Sequence, residues 1–108
     1  MIFIVVKFAV KPEWTERWPA LVAGFTEATR AEPGNLWFDW SRSLEDENEY
    51  VLVEAFRDGA AGGVHVNSDH FKQAMIDMAQ ALVSTPKIIS QQIDATDWSA
   101  MGELTVEA

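Results

Sequence analysis

The sequence predicts an α+β domain whose elements follow the order β-α-β-β-α-β. Four segments are rich in the β-branched and aromatic residues that favour strands. They cover residues 2–10, 35–43, 49–57 and 87–93. Between the first two segments, and again between the last two, apolar residues recur at helical spacing. This alternation is that of the ferredoxin-like plan, in which helices cover one face of an antiparallel sheet.

The first predicted strand is apolar on both of its faces. One face carries Ile2, Ile4, Val6, Phe8 and Val10, and the other carries Phe3, Val5 and Ala9, with Lys7 as the exception. Since the helices of one such domain cover a single face of its sheet, the second face needs another apolar surface against it. We therefore expect a homodimer in which two subunits pack sheet against sheet with twofold symmetry.

The two crossovers are predicted to differ. The first is one helix that opens at Pro12 and is kinked at Pro19, and the Glu-Pro-Gly segment at residues 32–34 ends it. Its apolar stripe consists of Trp14, Trp18, Leu21, Phe25 and Ala28. The second crossover is two helices, a glycine-rich one capped by Asp58 and a stronger one capped by Ser68. The stronger helix carries the stripe Phe71, Met75, Met78 and Leu82.

Charge and composition exclude several classes of function. The chain has 17 acidic and 8 basic residues and a net charge of -9, so neither nucleic acid nor an anionic membrane is an expected partner. It has no cysteine, which excludes disulfides, iron–sulfur clusters, cysteine-ligated zinc and cysteine nucleophiles. Residues 1–10 are too short to cross a bilayer and lack the features of a signal peptide. We expect a cytoplasmic protein.

Residues 1–108 are expected to form a single domain that ends in an apolar tail. The tail, residues 96–108, contains Trp98, Met101 and Leu104. These side chains are too apolar to extend freely into solvent. We expect the tail to pack on a subunit surface, that of the partner.

The candidate groups for chemistry lie on and after the third predicted strand. His65 and His70 are the chain's two histidines, and they titrate near neutral pH. Glu54 interrupts an apolar run, and burial there would raise its pKa. The structural alternatives are that Glu54 pairs with an arginine and that the histidines cap or pack a helix. No third ligand is evident beside the histidines, so no metal site is predicted.

Three short segments carry a family resemblance: Ala-Glu-Pro-Gly at residues 31–34, Glu-Ala-Phe at residues 54–56, and His-Val-Asn-Ser-Asp-His-Phe at residues 65–71. With them the chain resembles the antibiotic biosynthesis monooxygenase family, in particular its quinol monooxygenase-like branch. The resemblance implies a dimeric α+β barrel. It also implies that O₂ oxidises a small electron-rich aromatic substrate, such as a quinol, phenol or anthrone, without a cofactor.

Two positions depart from the pattern of that family. Phe56 stands where many members have tryptophan, and Leu52 stands where polyketide-type members have asparagine. Haem-degrading members need the asparagine and the tryptophan. Haem is therefore disfavoured as a cofactor.

Cofactor-free oxygenation needs a base and a dry, aromatic pocket that holds the substrate anion beside O₂. We expect His65 and His70 to supply the base, with Glu54 orienting a histidine or taking the proton. The expected substrate-binding residues are Trp37, Trp40, Phe56, Asn67, Phe71 and Arg42, the last facing an anionic substrate. Glu54, Phe56 and both histidines should meet at one cavity closed by Trp37 or Trp40.

The same residues also suit other interpretations. Trp37 and Trp40 also suit the core or the dimer interface. A non-catalytic protein that binds an aromatic metabolite would need the same pocket. An isomerase of a small keto compound would use the same histidine without O₂.

Overall fold

The computed structural model describes residues 1–107, which form one antiparallel sheet with helices against one of its faces. The strands are β1 (Ile2–Ala9), β2 (Asn35–Arg42), β3 (Glu49–Phe56) and β4 (Lys87–Gln92), in the spatial order β2-β3-β1-β4. The helices are a 3-10 helix (Pro12–Arg17), α1 (Trp18–Leu21), α2 (Ala23–Arg30), α3 (Gly59–Val66) and α4 (Asp69–Ala79). Along residues 1–107, no helix has the length and apolar character needed to cross a membrane. The predicted ferredoxin-like arrangement is confirmed.

The first crossover is not the single kinked helix that the sequence predicts. It consists of the 3-10 helix, α1 and α2, and the last two are separated at Val22. Pro19 lies in the first turn of α1, where its missing N–H removes no helical hydrogen bond. The broken path turns Trp18, Val22 and Phe25 toward the sheet, where they are 0%, 3% and 9% exposed.

The sheet face beneath the helices forms the core. Its buried side chains include Val6, Phe8, Phe38 and Leu52 from the strands, and Trp18, Phe25, Ala74 and Met78 from the helices. Removal of this apolar surface from water is the main source of stability. Glu54 lies on the same face of β3, because it is two residues from Leu52. A carboxyl group therefore enters the core from the strand.

Strand β2 contains a β-bulge at its start. Its register with β3 shifts between Asn35 and Trp37, so Leu36 leaves the alternation of the strand. Leu36 is 41% exposed, although strict alternation along the strand would place it on the same face as Phe38. From Phe38 onward the predicted alternation holds.

The other sheet face is only partly covered, and we call it the open face. Phe3, Trp37 and Val53 on this face are half-buried. Trp98 of the tail packs across it, with ring centroids 6.5 Å from Phe3 and 5.3 Å from Trp37. The described part of the tail thus contacts its own subunit, while contact with a partner and the homodimer itself stay predictions. Ala108, the last residue of the predicted tail, lies outside the described residues.

Two caps and one tight turn place the helices that carry the histidines. The Asp58 carboxylate accepts from the backbone N–H of Ala61 at 2.8 Å and begins α3. The Ser68 hydroxyl oxygen accepts from the backbone N–H of Phe71 at 3.2 Å and begins α4. Both predicted caps are confirmed. The turn at Gly34 lies so close to α3 that a Cβ there would overlap the Cβ of Ala61.

Candidate active site

Three side chains from separate parts of the chain meet in a hydrogen-bonded group, which we call the Glu32 cluster. Glu32 follows α2, His65 lies near the end of α3, and His70 lies in the first turn of α4. Glu32 Oε2 is 2.8 Å from His65 Nδ1 and 2.6 Å from His70 Nε2. The side chains of Glu32 and His65 are 8% and 5% exposed, and that of His70 is 27% exposed. The cluster therefore runs from the interior to the surface.

The shared oxygen atom fixes the tautomer of both rings. A carboxylate oxygen only accepts hydrogen bonds, so His65 Nδ1 and His70 Nε2 both carry hydrogen and donate to Glu32. In a neutral imidazole the other nitrogen then holds the lone pair. For His65 this is Nε2, which can accept a hydrogen bond or a proton.

Glu54 lies beside this free nitrogen of His65. Its Oε1 is 3.9 Å from His65 Nε2, beyond hydrogen-bond distance, and its side chain is 7% exposed. Burial, and to a smaller extent the negative charge of Glu32, raise the pKa of Glu54 from 4.5 to about 7. Near neutral pH the carboxyl group is therefore present in both its neutral and its ionised form, and it can donate or accept a proton.

His65 and Glu54 line a cavity of about 450 Å³ between the sheet and α4, which we call the histidine cavity. Its wall is otherwise mainly apolar and includes Val6, Phe8, Phe25, Leu52, Phe71 and Met78. Ser84, Thr85 and Ile88 also line the cavity and are exposed, so it opens to solvent beside the connection from α4 to β4. This volume is large enough for a small organic molecule, and His65 and Glu54 are the ionisable groups in its wall.

The sequence predicts that four residues line one cavity: Glu54, Phe56, His65 and His70. Only Glu54 and His65 line the histidine cavity. His70 lines a separate cavity of about 230 Å³ between α2 and α4. Phe56 is fully buried and packs on the His65 ring at a centroid distance of 4.7 Å, without lining the histidine cavity. Phe71 does line that cavity, as predicted from its place among the aromatic residues, with its ring 5.1 Å from that of His65.

Neither tryptophan of β2 closes the histidine cavity, so that prediction is wrong. Trp37 lies on the open face and packs against Trp98. Trp40 lies under the helices, donates from Nε1 to Thr26 Oγ1 at 2.8 Å, and lines a different cavity of about 400 Å³ with Trp18. The two residues are three apart in a strand, so their side chains point to opposite faces of the sheet.

Two predicted polar contacts also lie away from the histidine cavity. Asn67 is exposed at the end of α3, where Nδ2 donates to the carbonyl oxygen of Gly63 at 2.8 Å. Arg42, at the end of β2, donates to the Glu16 carboxylate at 2.9 Å and to the carbonyl oxygen of Glu47 at 2.7 Å. Neither side chain lines the histidine cavity, so the structure does not bring them together with His65 and Glu54.

The Glu32 cluster brings together three side chains that could hold a metal ion, a set that the sequence does not reveal. One nitrogen of each histidine and one oxygen of Glu32 all lie within 4.8 Å of one another. The sequence predicts no metal site because no third ligand is evident beside the histidines, and Glu32 supplies that ligand. Two imidazoles and a carboxylate suit divalent transition metals.

Glu32 is a residue of the site that the sequence alone does not reveal. Its place in the Glu-Pro-Gly segment predicts only the end of a helix. Its two partners follow 33 and 38 residues later, so no local spacing joins the three groups. One feature of the sequence could have pointed to Glu32. It is an acidic residue directly before a Pro-Gly turn, in the segment 31–34 that carries part of the family resemblance.

Comparisons with known proteins agree with this fold and identify the family. The model of the antibiotic biosynthesis monooxygenase family matches residues 1–76. YcnE of Bacillus subtilis (strain 168), provisionally named a monooxygenase, is 31% identical over 86 residues. This alignment covers 80% of the present chain and 90% of YcnE.

Solved structures share the same architecture. A conserved protein from Methanosarcina mazei Go1 has a TM-score of 0.80 and 26% identity, over 84% of this chain and 90% of that one. A protein from Nitrosomonas europaea, provisionally named an antibiotic biosynthesis monooxygenase, has a TM-score of 0.81 and 24% identity, over 88% of this chain and 100% of that one. The family match over most of the sequence and the likeness to YcnE show that this chain belongs to the antibiotic biosynthesis monooxygenase family.

Proposed function

We propose that this chain is a monooxygenase that oxidises a small electron-rich aromatic molecule, of the phenol or quinol type, with O₂ and without a cofactor. One observation carries the proposal. His65 Nε2 and Glu54 Oε1 lie 3.9 Å apart at the polar end of a cavity whose wall is otherwise mainly apolar. Membership of the family supports oxygen chemistry, and a mainly apolar cavity with two polar groups is compatible with a small aromatic substrate.

The separation of the two groups suits one ligand oxygen atom between them. An oxygen placed about 2.8 Å from both would hydrogen-bond to both. A phenolic O–H donates to the lone pair of His65 Nε2, and the neutral Glu54 carboxyl group donates to the same oxygen. Glu32 keeps His65 in the tautomer that this contact requires.

The proposed reaction begins when the phenol gives its proton to His65 Nε2. The resulting phenolate is electron-rich and transfers electrons to O₂, and one oxygen atom bonds to the ring carbon. The proton held by His65 and the hydrogen lost as a proton from the oxygenated ring carbon both go to the second oxygen atom, which leaves as water when the O–O bond breaks. A phenol thereby loses two hydrogens, gains one oxygen and becomes a quinone. The substrate supplies all four electrons, so the balance needs no external reductant.

The apolar wall has a chemical role in this scheme. A cavity that holds few waters keeps the phenolate and the reduced oxygen species from being quenched before they combine. It also strengthens the hydrogen bonds at the polar end, because the local dielectric is low. Phe25 and Phe71 offer aromatic faces against which a planar substrate can lie.

Oxygen uptake with a panel of phenols, hydroquinones and naphthols tests the proposal. We expect at least one compound to give enzyme-dependent uptake, with one O₂ consumed for each quinone formed. Tight binding of these compounds without uptake would contradict the proposal and indicate a binding protein. Rearrangement of a small keto compound in the absence of O₂ would contradict it in favour of an isomerase.

A further inference from the structure

The two buried carboxyl groups of the site have no lysine or arginine partner within residues 1–107. The Glu32 and Glu54 side chains are 8% and 7% exposed, and within residues 1–107 their ion-pair contacts are with histidine rings alone. The second carboxylate oxygen of Glu32, Oε1, is buried and has no hydrogen-bond partner in this part of the chain. Buried carboxylates without a cation are costly, so this environment favours a positive ion.

The donors of the Glu32 cluster also have the types and positions of a metal site. Glu32, His65 and His70 come from three elements that the caps and the Gly34 turn hold together, and their ligand atoms lie within 4.8 Å of one another. Imidazole nitrogens select zinc, cobalt, nickel or iron over magnesium and calcium, which prefer oxygen. In addition, Glu54 lies on the far side of the His65 ring, where carboxylates often hold a metal-bound histidine.

We propose that Glu32, His65 and His70 bind one divalent transition-metal ion, and that this ion inhibits the reaction proposed above. The inhibition follows from the tautomer of His65, and this half of the proposal rests on the proposed function. A metal bound at Nδ1 takes the lone pair of that nitrogen, so the hydrogen of the ring moves to Nε2. His65 then donates toward Glu54 and can no longer accept the proton of a phenol.

Metal binding requires a small movement within the cluster. Two ligands of one zinc ion lie about 3.3 Å apart when the bonds are about 2.0–2.1 Å long and tetrahedral. The present nitrogen–oxygen distances are 2.8 and 2.6 Å, which are hydrogen-bond distances. His70 is the most exposed member and lies in the first turn of α4, so it is the group that can move outward and admit the ion.

Calorimetric titration with zinc chloride, on the full chain without a polyhistidine tag, tests the site directly. We expect one Zn²⁺ per chain, the same stoichiometry with Co²⁺, and no binding of Mg²⁺ at equal concentration. His70→Gln and Glu32→Gln should each weaken zinc binding by roughly tenfold or more. Asp69→Asn is the matched control, because it removes a neighbouring exposed acid outside the cluster.

Each outcome of the titration decides whether the Glu32 cluster binds a metal ion. Failure of the wild-type chain to bind zinc, or binding that both cluster variants leave unchanged, would overturn the metal site. Should Glu32→Gln fold poorly by circular dichroism, His70→Gln decides alone, because its side chain is partly exposed and tolerates replacement. The titration needs no substrate, so its result stands even if the proposed reaction is wrong.

Turnover measured against zinc concentration tests whether the bound ion inhibits the reaction. We expect wild-type turnover to fall as the site fills, with half-inhibition at the Kd found by titration. His70→Gln, relative to its own zinc-free rate, should need roughly tenfold more zinc for the same inhibition. Turnover that stays constant while the site fills would overturn the inhibitory role and leave the metal site standing.

Discussion

The carboxylate of Glu32 gives the two histidines of this protein different roles. By accepting from both rings through one oxygen, it turns the free nitrogen of His65 toward Glu54. His70 contacts the same carboxylate from the surface side and lines another cavity. In the proposed reaction His65 is therefore the group that contacts the substrate, and Glu32 is the residue that positions its ring.

The first prediction concerns how Glu54 changes stability with pH. Its pKa is raised to about 7 in the folded chain, so between about pH 4.5 and 7 the folded state keeps a proton that the unfolded state loses. Stability from this group therefore falls as pH rises through that window, by at most roughly 3 kcal/mol. Above pH 7 the loss is complete, and below pH 4.5 it is absent.

Urea unfolding of the wild type and Glu54→Gln at a series of pH values checks this. The variant should gain stability relative to the wild type as the pH rises from about 4.5 to 7, and the difference should then level off. A difference that does not change with pH would show that Glu54 titrates normally in the folded protein.

The second prediction concerns removal of metal ions. If the reaction needs no cofactor and the Glu32 cluster binds an inhibitory ion, a chelator should leave turnover unchanged or increase it. Turnover of enzyme dialysed against EDTA, compared with enzyme dialysed against buffer, measures this. Loss of activity in EDTA that added metal restores would contradict cofactor-free chemistry and assign the ion a catalytic role.

At the level of secondary-structure elements, the close contact between Gly34 and α3 keeps Glu32 near His65. Gly34 follows Glu32 by two residues, and its Cα lies against Ala61 of α3, the helix that carries His65. A side chain at residue 34 would push α3 away and lengthen the hydrogen bond between Glu32 and His65. The glycine is required by this close approach, since no residue of the described chain has an unusual positive φ.

The third prediction compares two glycines. Gly34→Ala should destabilise the fold by about 1–3 kcal/mol, because the new methyl group overlaps Ala61. Gly62→Ala is the control: its Cβ would meet nothing within 4 Å in α3, and it should stabilise the fold by up to about 1 kcal/mol. Urea denaturation measures both. Restoration of much of the loss by adding Ala61→Gly would identify the overlap as the cause, and its failure would contradict that cause.

The elements that the sequence predicts well are those set by neighbouring residues. The strands follow from local runs of β-branched and aromatic residues, and Asp58 and Ser68 cap helices through hydrogen bonds to the residue three positions later. The break at Val22 is not local, since it depends on how Trp18 and Phe25 pack on the sheet. Glu32 is missed for the same reason, because its histidine partners are joined to it only by the folded chain.

For the molecule as a whole, the charge and the histidine cavity favour the same kind of ligand. The net charge is -9, and within residues 1–107 no lysine or arginine lines the histidine cavity. An anionic substrate would therefore be repelled and find no cation, whereas a neutral phenol meets no such barrier. Arg42, which the sequence predicts to face an anionic substrate, pairs with Glu16 and does not line this cavity.

The fourth prediction concerns assembly through the open face. Val5 lies on this face between Val53 and Ile89, so a lysine there would place a charge in the proposed interface. Light scattering at micromolar concentration should give about twice the 12.1 kDa of one chain for the wild type and a lower mass for Val5→Lys. Val83→Lys is the control, because Val83 is 64% exposed outside the sheet. A monomeric wild type would contradict the dimer.

The most direct test of the proposed function is turnover of a phenol under isotopically labelled O₂ by three proteins. The wild type should form a quinone that carries one labelled oxygen atom. His65→Gln removes the base and should lower the rate by roughly 10²-fold or more, while Asn67→Ala, an exposed change outside the cavity, should leave it unaltered. Incorporation of oxygen from water, or a His65→Gln rate equal to that of the wild type, would contradict the proposed function.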